Sequence, residues 1–256
     1  MSRRSALKLM GSAGLAVFVA ACATETLVTA TTAANGGTTS TGSGDTGTMV
    51  STTDVTPTFG GDGSCVLITE ETAGPYPLDL SGNEQFFRSD ITEGKEGVPL
   101  SMILALVDVN NGCLPVQGAR VDIWHCDADG VYSGYSQPGV DTSGETFCRG
   151  IQLTDVNGRV SFQTIYPGWY PGRITHIHFQ VFFESGLEAT SQIAFPEEVT
   201  TAVYVAGRYA AKGPNSSVGS FTEDNVFSDG TTYQMASVSG DSDTRLLATL
   251  LVGVAL

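Results

Sequence analysis

Positive charge is scarce in this sequence: 12 Lys and Arg stand against 27 Asp and Glu, a formal net charge of −15. Nucleic-acid binding draws its affinity from Lys and Arg neutralising phosphates, so that class of partner is excluded. Histidine is rarer still, with three in 256 residues. The five cysteines form no C-x-x-C pair, which removes the usual spacing of a thiolate zinc site. The longest apolar stretch near the N-terminus, Leu9 to Ala21, is about a dozen residues. That is short of the roughly 20 a membrane-spanning helix needs. Internal repeats are absent, and helical periodicity is sparse. Glycine is plentiful instead, with 31 Gly and 10 Pro marking many turns, and a hydrophobic content of 41% supports a core.

The N-terminus reads as an address. Arg3-Arg4 precede the apolar stretch, and Val19-Ala20-Ala21-Cys22 resembles a bacterial lipoprotein cleavage box. Residues 1–22 are therefore expected to be an export signal, of twin-arginine character although Ala6 stands where that signal prefers a bulky aromatic. Cys22 is the expected lipidation site and the expected sole membrane contact. The resulting location is the periplasm or cell surface of a bacterium. From Ala23 to Thr58 the chain is Thr, Ser, Gly and Ala, with 14 threonines in 36 residues, too polar and irregular to bury a face. Residues 23–64 are expected to be a tether, and 65–256 the folded domain.

Export also frames the remaining cysteines. Cys65, Cys113, Cys126 and Cys148 are an even set for an oxidising compartment, and four cysteines allow three pairings. The expected pairs are Cys126–Cys148, which could face each other on neighbouring strands, and Cys65–Cys113.

Beyond Cys65, short apolar runs alternate with turn signals every 8–12 residues or so, the pattern of an all-β protein. Strands are expected over 101–109, 119–126, 147–154, 159–165, 174–184 and 246–255. Asp155-Val156-Asn157-Gly158 is a hairpin turn, since Asn-Gly tolerates positive φ. The best helix runs from Glu197 to Arg208. The fold class is an all-β sandwich of mostly antiparallel strands, with long loops and few short helices.

His176-Ile177-His178 carries the sharpest chemistry. In a strand alternate side chains share a face, so the two imidazoles point together. By itself this could be a surface pair or a metal site, with zinc or copper the first metals to suggest themselves. No third His, Cys or acid in the run completes such a site. Tyr170 lies six residues upstream in Tyr166-Pro167-Gly168-Trp169-Tyr170-Pro171-Gly172, a loop shaped to return a phenol over the histidines. Tyrosinate is a hard anionic donor suited to Fe(III). A lone tyrosine, however, reads more readily as core.

Several segments together resemble one family, the intradiol ring-cleaving dioxygenases. They are Thr72 to Tyr76, Val121 to Tyr132, Arg149 to Gln152, Tyr166 to Tyr170, Arg173 to Phe179 and Ser191 to Phe195, in the family's order. The resemblance is to its small exported members, without the N-terminal helical region of the intracellular enzymes. It implies a non-haem Fe(III) dioxygenase, one iron per site, held by Tyr132, Tyr170, His176 and His178. Its substrates would be a catechol-type aromatic diol and O2, with the ring opened between the hydroxyls to a muconate-type diacid. Tyr170 would be the phenolate that leaves iron as substrate binds. Arg173 would stabilise negative charge on the substrate, and Gly74, Pro75, Tyr76 and Gln192 would line the pocket. The Tyr170–His176 loop is shorter than in larger homologues, which leaves the choice of catechol open, and oligomeric state is not legible. Two rivals stand beside this reading: a metal-free, surface-tethered binding module, and a zinc or copper site on the same scaffold. His125 is expected to be structural, with Trp124 and Trp169 as packing residues.

Overall fold

A computed structural model describes residues 65–184 and 186–256. The expected signal, Cys22 and the Thr-rich stretch before Cys65 lie outside the described residues.

Two sheets face each other. The first carries β1 (Pro99–Asp108), β2 (Leu114–Pro115), β7 (Arg159–Ile165), β10 (Ser237–Asp241) and β11 (Arg245–Val254). The central β1 pairs parallel with β11 and antiparallel with β7 and β2. The second sheet runs in the order β6 (Arg149–Leu153), β3 (Arg120–Trp124), β8 (His176–Phe183), β9 (Gly186–Ala194), all antiparallel. A small hairpin pairs β4 (Ser136–Gln137) with β5 (Val140–Asp141), and the helix α1 (Glu197–Tyr204) follows β9. The expected helix ends at Tyr204 and gives way to a 3-10 turn over Gly207–Ala211.

Alternation decides which side chains meet between the sheets. Leu100, Met102, Leu104 and Leu106 of β1 pack in one buried cluster with Phe162, Leu250, Val121, Ile123, Ile177, Phe179 and Val181. Each such side chain contributes about 1.5–3 kcal/mol by leaving water. Because Ile177 and Phe179 point inward, His176 and His178 must point outward from the second sheet. The same parity puts Trp124, paired with His178, and Gln192, paired with His178 from the other side, on that outer face.

The cysteines require one correction. Cys65 and Cys113 form a disulfide, Cα–Cα 5.7 Å. Cys126 and Cys148 are free, buried thiols instead of a second bridge. Trp124 pairs with Arg149 across β3 and β6, so one step on Cys148 faces His125, whose amide donates to its carbonyl at 3.1 Å. Cys126 is therefore one residue out of register with Cys148, and such an offset turns the two side chains to opposite faces. Cys126 packs with Trp124 and Tyr132, while Cys148 enters the main core.

Candidate metal centre

Four donor atoms converge above the outer face of the second sheet. His176 Nε2 lies 3.1 Å from His178 Nε2, 3.3 Å from the Tyr132 hydroxyl and 3.2 Å from the Tyr170 hydroxyl. The histidines arrive there through strand parity. The tyrosines arrive on two interlocked loops. Gly130 and Gly168 make the interlock possible: a Cβ on Gly130 would stand 2.1 Å from the Trp169 carbonyl, and one on Gly168 2.4 Å from the Ala128 carbonyl. The Gly168 amide donates to Asp127, and Lys212 Nζ donates to the carbonyls of both Asp129 and Trp169. Tyr132 is fixed further by Gln137, whose side chain bonds its amide and carbonyl, and by Thr142.

The donors fit a hard cation. Atoms bound about 2.0–2.1 Å from a shared metal, at angles from roughly 90° to 109°, stand about 2.8–3.4 Å apart, and His176 Nε2 stands within that range of each of the other three. His176 Nδ1 lies 2.6 Å from the Ile174 carbonyl, which can only accept, so Nδ1 carries the proton and Nε2 offers its lone pair to the cluster. Burial, then the neighbouring Arg173 charge, holds the His176 pKa down at about 3. Burial, then His176, holds His178 well below its ordinary value. Both imidazoles are neutral across the physiological range. The phenols are perturbed the other way: burial raises Tyr170 to about 12 and Tyr132 well above 10. Without a cation they stay protonated, and a strongly charged one is needed to ionise both. No group of three or more His, Cys, Asp or Glu that could hold a metal occurs among the described residues. The oxygen donors here are phenols, so this cluster is of another kind.

The surroundings order the cluster. Trp124 stacks flat on His178, rings 2° from parallel and centroids 5.1 Å apart. Gly74, at φ +68°, lets the segment before β1 cross directly over that histidine. Tyr76 then lies against Tyr132 and Tyr135, at 4.8 and 5.2 Å, while Pro75 between them is exposed. Gln192 donates to the Thr72 carbonyl at 2.8 Å and accepts from Arg173 Nη2 at 2.5 Å. Arg173 Nη1 reaches 3.5 Å from His176 Nε2. Every residue expected at the site from sequence is thus at or beside the convergence point, apart from the solvent-facing Pro75. His125 stands apart, buried, its Nδ1–H donating to Cys126 and its Nε2 accepting from Thr164, both at 2.8 Å.

Sequence reasoning missed Asp224 and Phe227. Asp224 is fully buried and receives Arg173 Nε at 3.0 and 3.2 Å. Burial pushes its carboxyl up, but the Ile174 and Val226 amides and Arg173 outweigh that and leave it below its ordinary pKa. Phe227 lies against both His176 and Arg173. Neither residue belongs to a spacing pattern that would have marked it.

A family model described as "Dioxygenase" matches residues 80–208, half of the chain. The protocatechuate 3,4-dioxygenase beta chain of Burkholderia cepacia is 30% identical over 49% of this chain and 54% of its own length, so the match spans about half of that protein. Among solved structures, an intradiol ring-cleavage dioxygenase from Tetranychus urticae is 30% identical over 75% of this chain and 95% of that one, TM-score 0.66. A 3-chlorocatechol 1,2-dioxygenase from Rhodococcus opacus 1CP shares the fold, at 18% identity and TM-score 0.50. With an ordered set of family segments, a two-sheet scaffold and these relatives in agreement, this chain belongs to the intradiol ring-cleavage dioxygenase family.

Proposed function

We propose that the protein is a non-haem Fe(III) dioxygenase that opens a catechol-type ring between its two hydroxyls, giving a muconate-type diacid. The observation that carries this is the meeting of the Tyr132 and Tyr170 phenol oxygens and His178 Nε2 within 3.1–3.3 Å of His176 Nε2. Tyr132, Tyr170, His176 and His178 would hold the iron, and two phenolates would offset much of its charge. Zinc or copper(I) is the poorer match to that oxygen-rich set. When bound, ferric iron supplies a Lewis acid that takes a catechol dianion and makes its ring reactive towards O2.

The protein's own groups divide the remaining work. Tyr132 is sealed in, whereas Tyr170 is only half-buried, at the end of its loop. Tyr170 is the phenolate with room to withdraw and accept a catechol proton. Arg173 Nη1 faces the space where negative charge gathers on the substrate. Trp124, Phe227 and Tyr76 keep water from the reacting ring. Both atoms of O2 end in the diacid and the catechol supplies the electrons, so no outside reductant is needed.

Substrate charge follows from the nearby ions. Arg173 is committed to Asp224, and Arg149 to Ser133. Glu71 sits beside Gln234, next to Thr72, near enough to feel Arg173. Arg173 presents one N–H corner to the site, Nη1, and charge on the ring oxygens takes it up, so neutral catechols are the preferred class. A like charge costs about 1 kcal/mol at 4 Å in water, a factor of roughly 5. Residues 1–22 further lead us to propose that the enzyme works outside the cytoplasm, anchored through Cys22.

Oxygen uptake tests the activity. Iron-loaded protein should consume one O2 per catechol and yield the ring-opened diacid, with kcat/KM for 3,4-dihydroxybenzoate lower by about 5-fold or more. No uptake with catechol, hydroxyquinol or 3,4-dihydroxybenzoate would refute the reading.

A further inference from the structure

Arg173 is held at each of its three guanidinium nitrogens. Nε is gripped by the Asp224 carboxylate at 3.0 and 3.2 Å, Nη2 meets Gln192 Oε1 at 2.5 Å, and Nη1 is directed at the donor cluster, 3.5 Å from His176 Nε2. A guanidinium is a planar fork, so fixing two corners fixes the aim of the third. Gln192 is itself anchored, through Thr72 and through its place opposite His178 in β9. Asp224 is anchored more heavily still. Its Oδ1 accepts from the Val226 and Phe227 amides at 2.8 and 3.1 Å, and its Oδ2 from the Ile174 amide at 2.6 Å. Val226 and Phe227 lead into the turn over Phe227–Asp229, and Ile174 directly follows Arg173. One buried carboxylate therefore clamps the arginine's backbone, its side chain and the turn that carries Phe227.

We propose that Asp224 is a positioning residue that sets the aim of Arg173 Nη1 and influences turnover chiefly through that arginine. Its hydrogen bonds go to Arg173, Ile174, Val226 and Phe227 rather than to the four donor atoms. Its carboxylate also balances a guanidinium that is only 8% exposed, which keeps the cation seated at the site without a counter-ion from solvent. The inference rests on the proposed dioxygenase activity.

A double-mutant cycle separates positioning from plain support of the fold. Asp224→Asn keeps the size and one acceptor. Its thermal midpoint should fall, since a buried ion pair is broken, but the folded fraction should retain iron and the visible absorption band, while kcat per bound iron falls on the order of 10–100-fold and KM changes little. In an Arg173→Ala background, itself down on the order of 10²–10³-fold, the same change should cost less than about 3-fold. Asp224→Glu keeps the charge but displaces it by a methylene, and should lose kcat as Asn does. Costs that multiply in the Arg173→Ala background would overturn the proposal. So would losses, in either Asp224 variant, that merely track the fraction of folded, iron-loaded protein. Wild-type protein inert towards every catechol would instead refute the underlying activity.

Discussion

Gly74→Ala asks whether the segment crossing over His178 shapes the metal centre. Two costs can be worked from the structure. Gly74 sits at φ +68°, where any L side chain is strained, by about 1–2 kcal/mol. The added Cβ would also stand 3.0 Å from His178 Cε1 and 3.3 Å from its Nε2, so the ring must yield by a few tenths of an ångström. Trp124 lies flat on that ring, which makes yielding expensive. Gly144→Ala is the control: its φ is +85°, yet nothing lies within 4 Å of the new Cβ. Gly144→Ala should lose about 1–2 kcal/mol in urea melts of the iron-free protein, and Gly74→Ala that much plus the cost of shifting the His178 ring. Only Gly74→Ala should also bind Fe(III) more weakly, by roughly 10–100-fold, the usual effect of disturbing a ligand's support. Iron titration followed by visible absorption reads the second effect. Equal iron affinity in the two variants would show that the contact with His178 does not matter.

Two further outcomes follow from buried groups. His125 is fully buried, and burial lowers its pKa from 6.5 to about 4. The unfolded chain takes up a proton between those values that the folded chain refuses, so the stabilisation is complete above pH 6.5 and is lost as pH falls towards 4. The loss is about 3 kcal/mol, and unfolding measured from pH 7 to 4 should show a shallower slope for His125→Asn than for wild type. Parallel slopes would contradict the assignment. The Cys65–Cys113 disulfide closes a sequence separation of 48 residues, which the chain-entropy estimate values at about 4 kcal/mol. A Cys65→Ser, Cys113→Ser double variant should melt well below wild type, and identical melting would show the bridge to be idle.

Much of the fold was legible because apolar alternation is strong where both partners are apolar. β7 spans Arg159–Ile165 as expected, and the Asp155–Gly158 turn closes with Gly158 at φ +72°. β8 begins at His176, two residues later than expected, because Arg173 and Ile174 are held by Asp224. β9 was not anticipated as a strand. Its buried positions include Ser191 and Gln192, polar residues whose partners, the carbonyls of Thr69 and Thr72, lie some 120 residues away. The Cys126–Cys148 expectation failed by one residue of register, a quantity that composition and spacing do not encode. At the site, the two histidines were visible from strand parity and the tyrosines from the order of the family's segments. Asp224 was invisible, since one buried carboxylate reads like any of the 27 acids until the chain brings it to Arg173.

Iron content and colour in the same sample test the four-donor centre most directly. Protein supplied with Fe(III) should retain about one iron per chain and absorb in the visible as a tyrosinate–iron complex, with the band shifting when catechol is added without O2. His178→Ala should retain no iron and stay colourless. A wild-type protein that remains colourless, or a His178→Ala variant that holds iron as tightly as wild type, would contradict the assignment of Tyr132, Tyr170, His176 and His178 as the ligands.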